Sequence, residues 1–182
     1  VTDGFAIPVD PEAPDGVYWL NIGWYRQVDG EAQSLSLVNP ETGTLSDASS
    51  ITIGPIKVGG PPAGAVTDAA DLPEAMVDST LGEAIKLTGY SLKSNSGELR
   101  LSLYWEALQQ PAEDYTVFVH LRDSNGQVVA QKDQPAVGGL YPTGLWESGE
   151  RIKDNVVIPM TEVPPGTYEL VVGMYDLATG IR

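Results

Sequence analysis

Leu99, Leu101, Leu103 and Trp105 alternate with Arg100, Ser102 and Tyr104, and that period of two is the signature of a half-buried strand. The same alternation places Tyr18, Leu20, Ile22 and Trp24 on one face of Val17–Tyr25. It recurs at Val117, Val119 and Leu121, and at Tyr168, Leu170, Val172 and Met174. Further strands are predicted from Ile85 to about Leu92, over Val128 to Gln131, and around Val156 and Ile158. Asp123-Ser-Asn-Gly126 separates two of them, and Asn-Gly turns readily, so a hairpin is expected there. With 20 Gly and 14 Pro the chain turns often, yet 42% hydrophobic residues still suffice for a core. The expectation is an all-β protein of antiparallel β-sandwich architecture, Ig-like or jelly-roll, with little helix. One short helical turn is expected within Asp71–Leu81, where Pro73 sits near a helix start.

The strand alternation also repeats at long range. Pro14-Asp-Gly-Val-Tyr-Trp-Leu-Asn-Ile-Gly-Trp-Tyr25 aligns without gaps onto Pro164-Pro-Gly-Thr-Tyr-Glu-Leu-Val-Val-Gly-Met-Tyr175, at an offset of 150 residues. Beyond the strand the same offset pairs Gly30 with Gly180. Such a spacing is a domain length, not a solenoid period. Residues 1–58 therefore read as the C-terminal part of a first sandwich copy. Residues 71–182 read as a second copy, truncated at its C-terminus. Between them, residues 59–70 (GGPPAGAVTDAA) read as a linker. Each part then holds strands that the other needs. The N-terminal strands are expected to pack onto the larger part, or to exchange with a second chain.

The charge balance narrows the partners. Ten basic and 25 acidic residues give a net charge of −15, which repels a phosphate backbone, so no nucleic-acid partner is expected. The chain has no Cys and one His, which removes disulfides, thiol catalysis and His-cluster metal sites. No cofactor and no metal are expected. No apolar run approaches the length of a membrane helix. The chain opens at Val1 with neither initiator Met nor signal peptide, as an excised piece or a mature form would.

An ordered series of motifs adds a family. Leu101-Ser-Leu-Tyr-Trp-Glu-Ala107 is followed by Asp114-Tyr-Thr-Val-Phe-Val-His-Leu121 and Gly138-Gly-Leu-Tyr-Pro-Thr-Gly-Leu-Trp146. Gly149-Glu150, Pro164-Pro-Gly-Thr-Tyr168 and Gly173-Met-Tyr-Asp176 complete it. The series resembles the C-terminal β-sandwich domain of large multi-spanning bacterial membrane proteins. Those proteins are similar to lipid-linked-sugar-dependent glycosyltransferases related to protein mannosyltransferases. The resemblance covers residues 83–182, with 13–58 as a partial second copy. It implies an extracytoplasmic accessory domain, tethered to the membrane through a parent membrane domain and without that parent's catalytic part. A glycan or another cell-envelope component would be its partner. A purely structural or adhesive repeat without a small ligand is the alternative.

No catalytic residue is expected. His120 lies on the face opposite Val117, Val119 and Leu121, where Gln131 or Val129 would oppose it across the hairpin. General-base work would need a nucleophile and an orienting carboxylate, and no G-x-S-x-G elbow exists. Glu147 and Glu150 lie close in sequence but in no hydrolase motif. Asp123-x-Asn125-Gly126 resembles part of a calcium loop but lacks the downstream acidic ligands. The candidate ligand-binding residues are aromatic. Tyr141 and Trp146, in the long segment Pro135–Trp146, could stack on sugar rings or fold back to cap one end of the sandwich. Trp19, opposite Tyr18 and Leu20, is either exposed or covers a second layer.

Overall fold

The computed structural model describes residue 4 and residues 6–67, 70–95 and 97–181. It is an all-β protein whose strands all pair antiparallel. Among the described residues, helical structure is confined to two 3₁₀ turns, Ala136–Gly139 and Thr143–Leu145. Among the described residues no helix is long and apolar enough to cross a membrane.

The strands are β1 (Gly16–Gly23), β2 (Tyr25–Val28), β3 (Glu31–Ser34), β4 (Ser50–Val58), β5 (Ala75–Leu81) and β6 (Ile85–Ser94). They continue with β7 (Glu98–Ala107), β8 (Tyr115–Arg122), β9 (Val128–Pro135), β10 (Arg151–Pro159) and β11 (Glu169–Asp176). Two sheets dominate, with strand orders β10-β7-β6-β5 and β11-β8-β9. Two pairs, β1-β4 and β2-β3, stand beside them.

Alternation decides what is buried. Leu99, Leu101, Leu103 and Trp105 of β7 join Ile152, Val156 and Ile158 of β10. Val117, Val119 and Leu121 of β8 and Met174 of β11 enter the same cluster, so the two larger sheets share one core. β9 is tied to β10 by Gln134, whose Nε2 donates to Asp154 Oδ1 at 3.1 Å and to the Asn155 carbonyl at 3.2 Å. The β8–β9 hairpin turns as expected: Gly126 has φ 79°, and Gln131 opposes His120.

Two expectations change. Asp71–Leu81 holds no helix; Ala75–Leu81 is strand β5, paired with β6. Ala75 and Met76 favour helix, but the open edge of β6 offers ladder partners, and tertiary pairing overrides so weak a local preference. The stretch read as a linker is partly built into the fold. Ala65 is fully buried, its carbonyl accepts the Lys153 N–H at 2.9 Å, and Val66 bridges to Ile152. Residues 68 and 69 of that stretch lie outside the described residues. The N-terminal strands add to neither large sheet, since β4 pairs with β1, yet Val17 packs against the core and Lys57 reaches Glu147 and Glu150.

The two aligned segments are both strands and make the same local bond, although β1 pairs with β4 and β11 with β8. The Tyr18 hydroxyl donates to the Pro14 carbonyl, and the Tyr168 hydroxyl to the Pro164 carbonyl, both at 2.6 Å. The turn after β11, Asp176–Ile181, carries Gly180 at φ 70°. Its N–H donates to the Asp176 carbonyl at 2.7 Å, and the Asp176 N–H donates to the Ile181 carbonyl at 2.9 Å. The counterpart turn in the first repeat is Asn39–Thr44. Gly43 there has φ 69° and donates to the Asn39 carbonyl at 2.8 Å, while the Asn39 N–H donates to the Thr44 carbonyl at 2.9 Å. Gly180 therefore matches Gly43, not Gly30. The first repeat inserts the β2-β3 hairpin, closed by the Leu35 N–H on the Trp24 carbonyl at 2.8 Å.

Candidate functional site

Tyr141 and Trp146 meet in the segment between β9 and β10, and both are 0% exposed. Thr143, also buried, fixes that segment: its Oγ1 accepts the Tyr115 N–H and donates to the Glu113 carbonyl, each at 2.7 Å. Trp146 Nε1 donates to the Tyr141 carbonyl at 3.1 Å. The Tyr141 hydroxyl donates to Glu150 Oε2 at 2.6 Å. Both rings are enclosed, and neither offers a face to a sugar.

The cap also holds the N-terminal part. Lys57, at the end of β4, places Nζ 2.8 Å from Glu150 Oε1 and 2.9 Å from Glu147 Oε1. It lies 5.5 Å from the centre of the Tyr141 ring. Burial pulls the ammonium down, but bonds to Glu150, Tyr141 and Glu147 outweigh it and hold Lys57 above the ordinary lysine value. Burial, reinforced by Glu150, raises the Tyr141 hydroxyl. Glu147 and Glu150 thus converge on a lysine and a tyrosine, which explains them as a structural clasp and not as a hydrolytic pair across a cleft.

Trp19 is 53% exposed and lies against Gly54, where an added Cβ would come within 3.0 Å of the indole. Trp24 and Tyr25 are more exposed still. These three aromatics all lie on or beside the β1-β4 pair, away from Tyr141 and Trp146, so the sequence candidates do not form one site. His120 Nε2 lies 3.5 Å from Asp133 Oδ1, and its ring centre lies 4.8 Å from that of Phe118. Asp123 Oδ1 accepts the N–H groups of Asn125 and Gln127 at 2.9 and 2.8 Å. Those backbone bonds, Gln127 first, hold its carboxyl below the usual range, as in an Asx turn rather than a calcium loop. Among the described residues no group of three or more His, Cys, Asp or Glu side chains is placed to hold a metal ion.

Two features carry no sequence motif. The first is a groove along the four-stranded sheet, where Asp71 and Leu72 line two cavities of about 450 and 560 Å³. Lys153 Nζ and the Tyr104 hydroxyl meet the Asp71 carboxylate at 2.7 and 3.0 Å. The Lys153 ammonium leads in holding that carboxyl low. Lys86, Lys93, Arg100, Arg151 and Lys153, half the basic residues of the chain, line the two cavities. Lys86 is paired with Asp78, Arg100 with Glu98 and Lys153 with Asp71, which leaves little net charge for an anion. Tyr104 and Trp105 at the groove are buried, so it has no aromatic platform.

The second feature is Asp154, 0% exposed on the core face of β10. Burial raises its carboxyl to about 6, against the bonds it accepts from the Val137 N–H and Gln134. Its Oδ2 is buried without a hydrogen-bond partner. Val137 has φ 53°, a conformation that a β-branched residue adopts only when its surroundings impose it. The one sequence signal for Asp154 is a carboxylate in phase with Ile152, Val156 and Ile158.

The chain matches no family model, no curated protein and no solved structure.

Proposed function

We propose that this chain is a non-catalytic assembly module, built as a tandem of β-sandwich repeats and carried outside the cytoplasm by a membrane protein of the glycosyltransferase-like kind. The observation that carries the reading is the duplicated strand and turn. Tyr18–Pro14 and Tyr168–Pro164 are the same hydrogen bond, and Asn39–Thr44 and Asp176–Ile181 are the same turn. In the larger part the big aromatic rings, Trp105, Tyr141 and Trp146, are core. That is the make-up of a structural unit. The extracytoplasmic setting and the membrane-bound parent rest on the resemblance of the motif series alone.

Exposed Trp19, Trp24 and Tyr25 favour a second reading, recognition of a cell-envelope glycan by stacking on the β1-β4 pair. A glycan array probed with the full chain, beside Trp19→Ala and Trp24→Ala, separates the two. The assembly reading expects no retained saccharide. A saccharide held by the chain and released by either substitution would put carbohydrate recognition first.

A further inference from the structure

We propose that the outer edge of β11 receives an antiparallel strand of β4 type, and that a second copy of this chain supplies it by exchanging its own β4. This deepens the assembly reading, on which it rests, by giving it a surface and a partner.

The edge is defined by its hydrogen bonds. β11 pairs with β8 on one side, and among the described residues no strand pairs with the other. The Asp176 N–H and carbonyl both bond into the turn that follows β11. In an antiparallel ladder alternate residues point their backbone groups the same way. The N–H and carbonyl groups of Leu170, Val172 and Met174 therefore face the open edge. Met174 is buried, and Leu170 and Val172 pack on the core with the same side of the strand.

The repeat says which strand fits. β1 is the counterpart of β11, and its partner is β4, with Leu20 opposite Ile53 and Ile22 opposite Ile51. Carried over at the same offset, Ile53 faces Leu170 and Ile51 faces Val172. The turn leads the same way in both repeats, because Ile181 bonds back to Asp176 as Thr44 bonds back to Asn39.

The core has room for those isoleucines. The sheet β10-β7-β6-β5 has four strands and its partner sheet has three. β9 is bonded to β10, and β11 shares its cavities with β6 and with Leu81 at the end of β5, so among the described residues the outer edge of β11 is left open beside them. Two open cavities lie along β11. One, of about 310 Å³, is lined by Leu81, Ile85, Met174 and Ile181. The other, of about 500 Å³, is lined by Leu92, Leu99, Tyr168 and Leu170. A strand on the β11 edge would direct its inward side chains at both.

The present seat of β4 is poor by comparison. A two-stranded sheet is marginal in water. Ile51 and Ile53 are each 47% exposed on it. On β11 the same side chains would cover apolar surface, and an open edge would be satisfied. The ladder with β1 and the Lys57 clasp to Glu147 and Glu150 hold β4 in place, so exchange has to break both and opens the edge of β1.

The test is sedimentation equilibrium of the full chain from micromolar to near-millimolar concentration, with amide hydrogen exchange on the associated species. A concentration-dependent dimer is expected, with exchange slowed at Leu170, Val172 and Met174. Lys57→Met should raise the dimer fraction. Val172→Pro removes an N–H that faces away from β8, with some loss of side-chain packing on the core, and should abolish the dimer while the monomer still melts cooperatively. Should that variant not fold, a synthetic peptide of residues 50–58 in excess should dissociate the dimer, and the same peptide N-methylated at alternate amides should not. A chain that stays monomeric throughout, with Lys57→Met monomeric too, overturns the proposal. So does a dimer whose β11 amides exchange as fast as in the monomer. A monomer that binds the peptide along β11 overturns the second copy as the source. The glycan array reads Trp19 and Trp24 while hydrogen exchange reads β11, so either reading can fail alone.

Discussion

Tyr18 and Tyr168, 150 residues apart, each donate the phenolic hydroxyl to the carbonyl of the proline four residues upstream, at 2.6 Å in both places. The bond fixes the chain as it enters the strand. Its surroundings differ: Tyr168 packs against the core, while Tyr18 is an exposed residue of the β1-β4 pair.

Tyr168→Phe removes a hydroxyl whose acceptor sits beside packed surface, and should cost about 1 kcal/mol. Tyr18→Phe leaves its acceptor to water and should cost less. Urea unfolding of the two variants, followed by circular dichroism, checks the order. A larger loss from Tyr18→Phe would mean that the N-terminal repeat is the better-packed one.

Asp154 gives stability a pH dependence of unusual sign for a carboxylate. Its ordinary value is 3.8, and burial first of all lifts it to about 6 in the folded protein. Below the lower value the group is protonated in both states. Between the two the unfolded chain ionises while the folded one keeps its proton, so stability falls as pH rises. Above pH 6 the loss is complete, at about 3 kcal/mol for two units. Asp154→Asn carries no such proton, and its urea midpoint should change far less between pH 4 and pH 7. Equal slopes in parent and variant would show that Asp154 ionises freely when folded.

The Lys57 clasp should be unequal at its two ends. Glu150 is nearly buried and Glu147 is mostly exposed. Lys57→Met strands the Glu150 carboxylate and should cost on the order of 3 kcal/mol. Glu147→Gln should cost less than about 1 kcal/mol. A double-mutant cycle of Lys57→Met with Glu150→Gln should show strong coupling, and additive losses would count against the clasp.

Trp146→Ala opens a cavity at a fully buried site and should cost about 3–5 kcal/mol. Tyr141→Phe keeps the ring but removes the hydroxyl from Glu150, and should cost about 1–2 kcal/mol. Thermal melting reads both. If the chain retains a saccharide, neither variant should release it before it unfolds, because neither ring reaches solvent.

Most strands of the two large sheets, and the faces they bury, were legible in the sequence. Side chains alternate across a strand, so Leu101, Leu103 and Trp105 announce their burial wherever the strand ends up. The sequence also determined the hairpin at Gly126 and the duplicated strand, since turns and Tyr–Pro bonds are made within a few residues. Tertiary structure decided the rest. Ala75–Leu81 became a strand because β6 had an edge to fill. Tyr141 and Trp146 could have faced solvent or core, and the buried hydroxyl of Thr143 with the Glu150 carboxylate drew them inward. Asp154 and Val137 meet across β10 and a 3₁₀ turn, a contact with no local pattern. Only packing between distant segments could place that carboxylate out of water, and only that placement moves its proton.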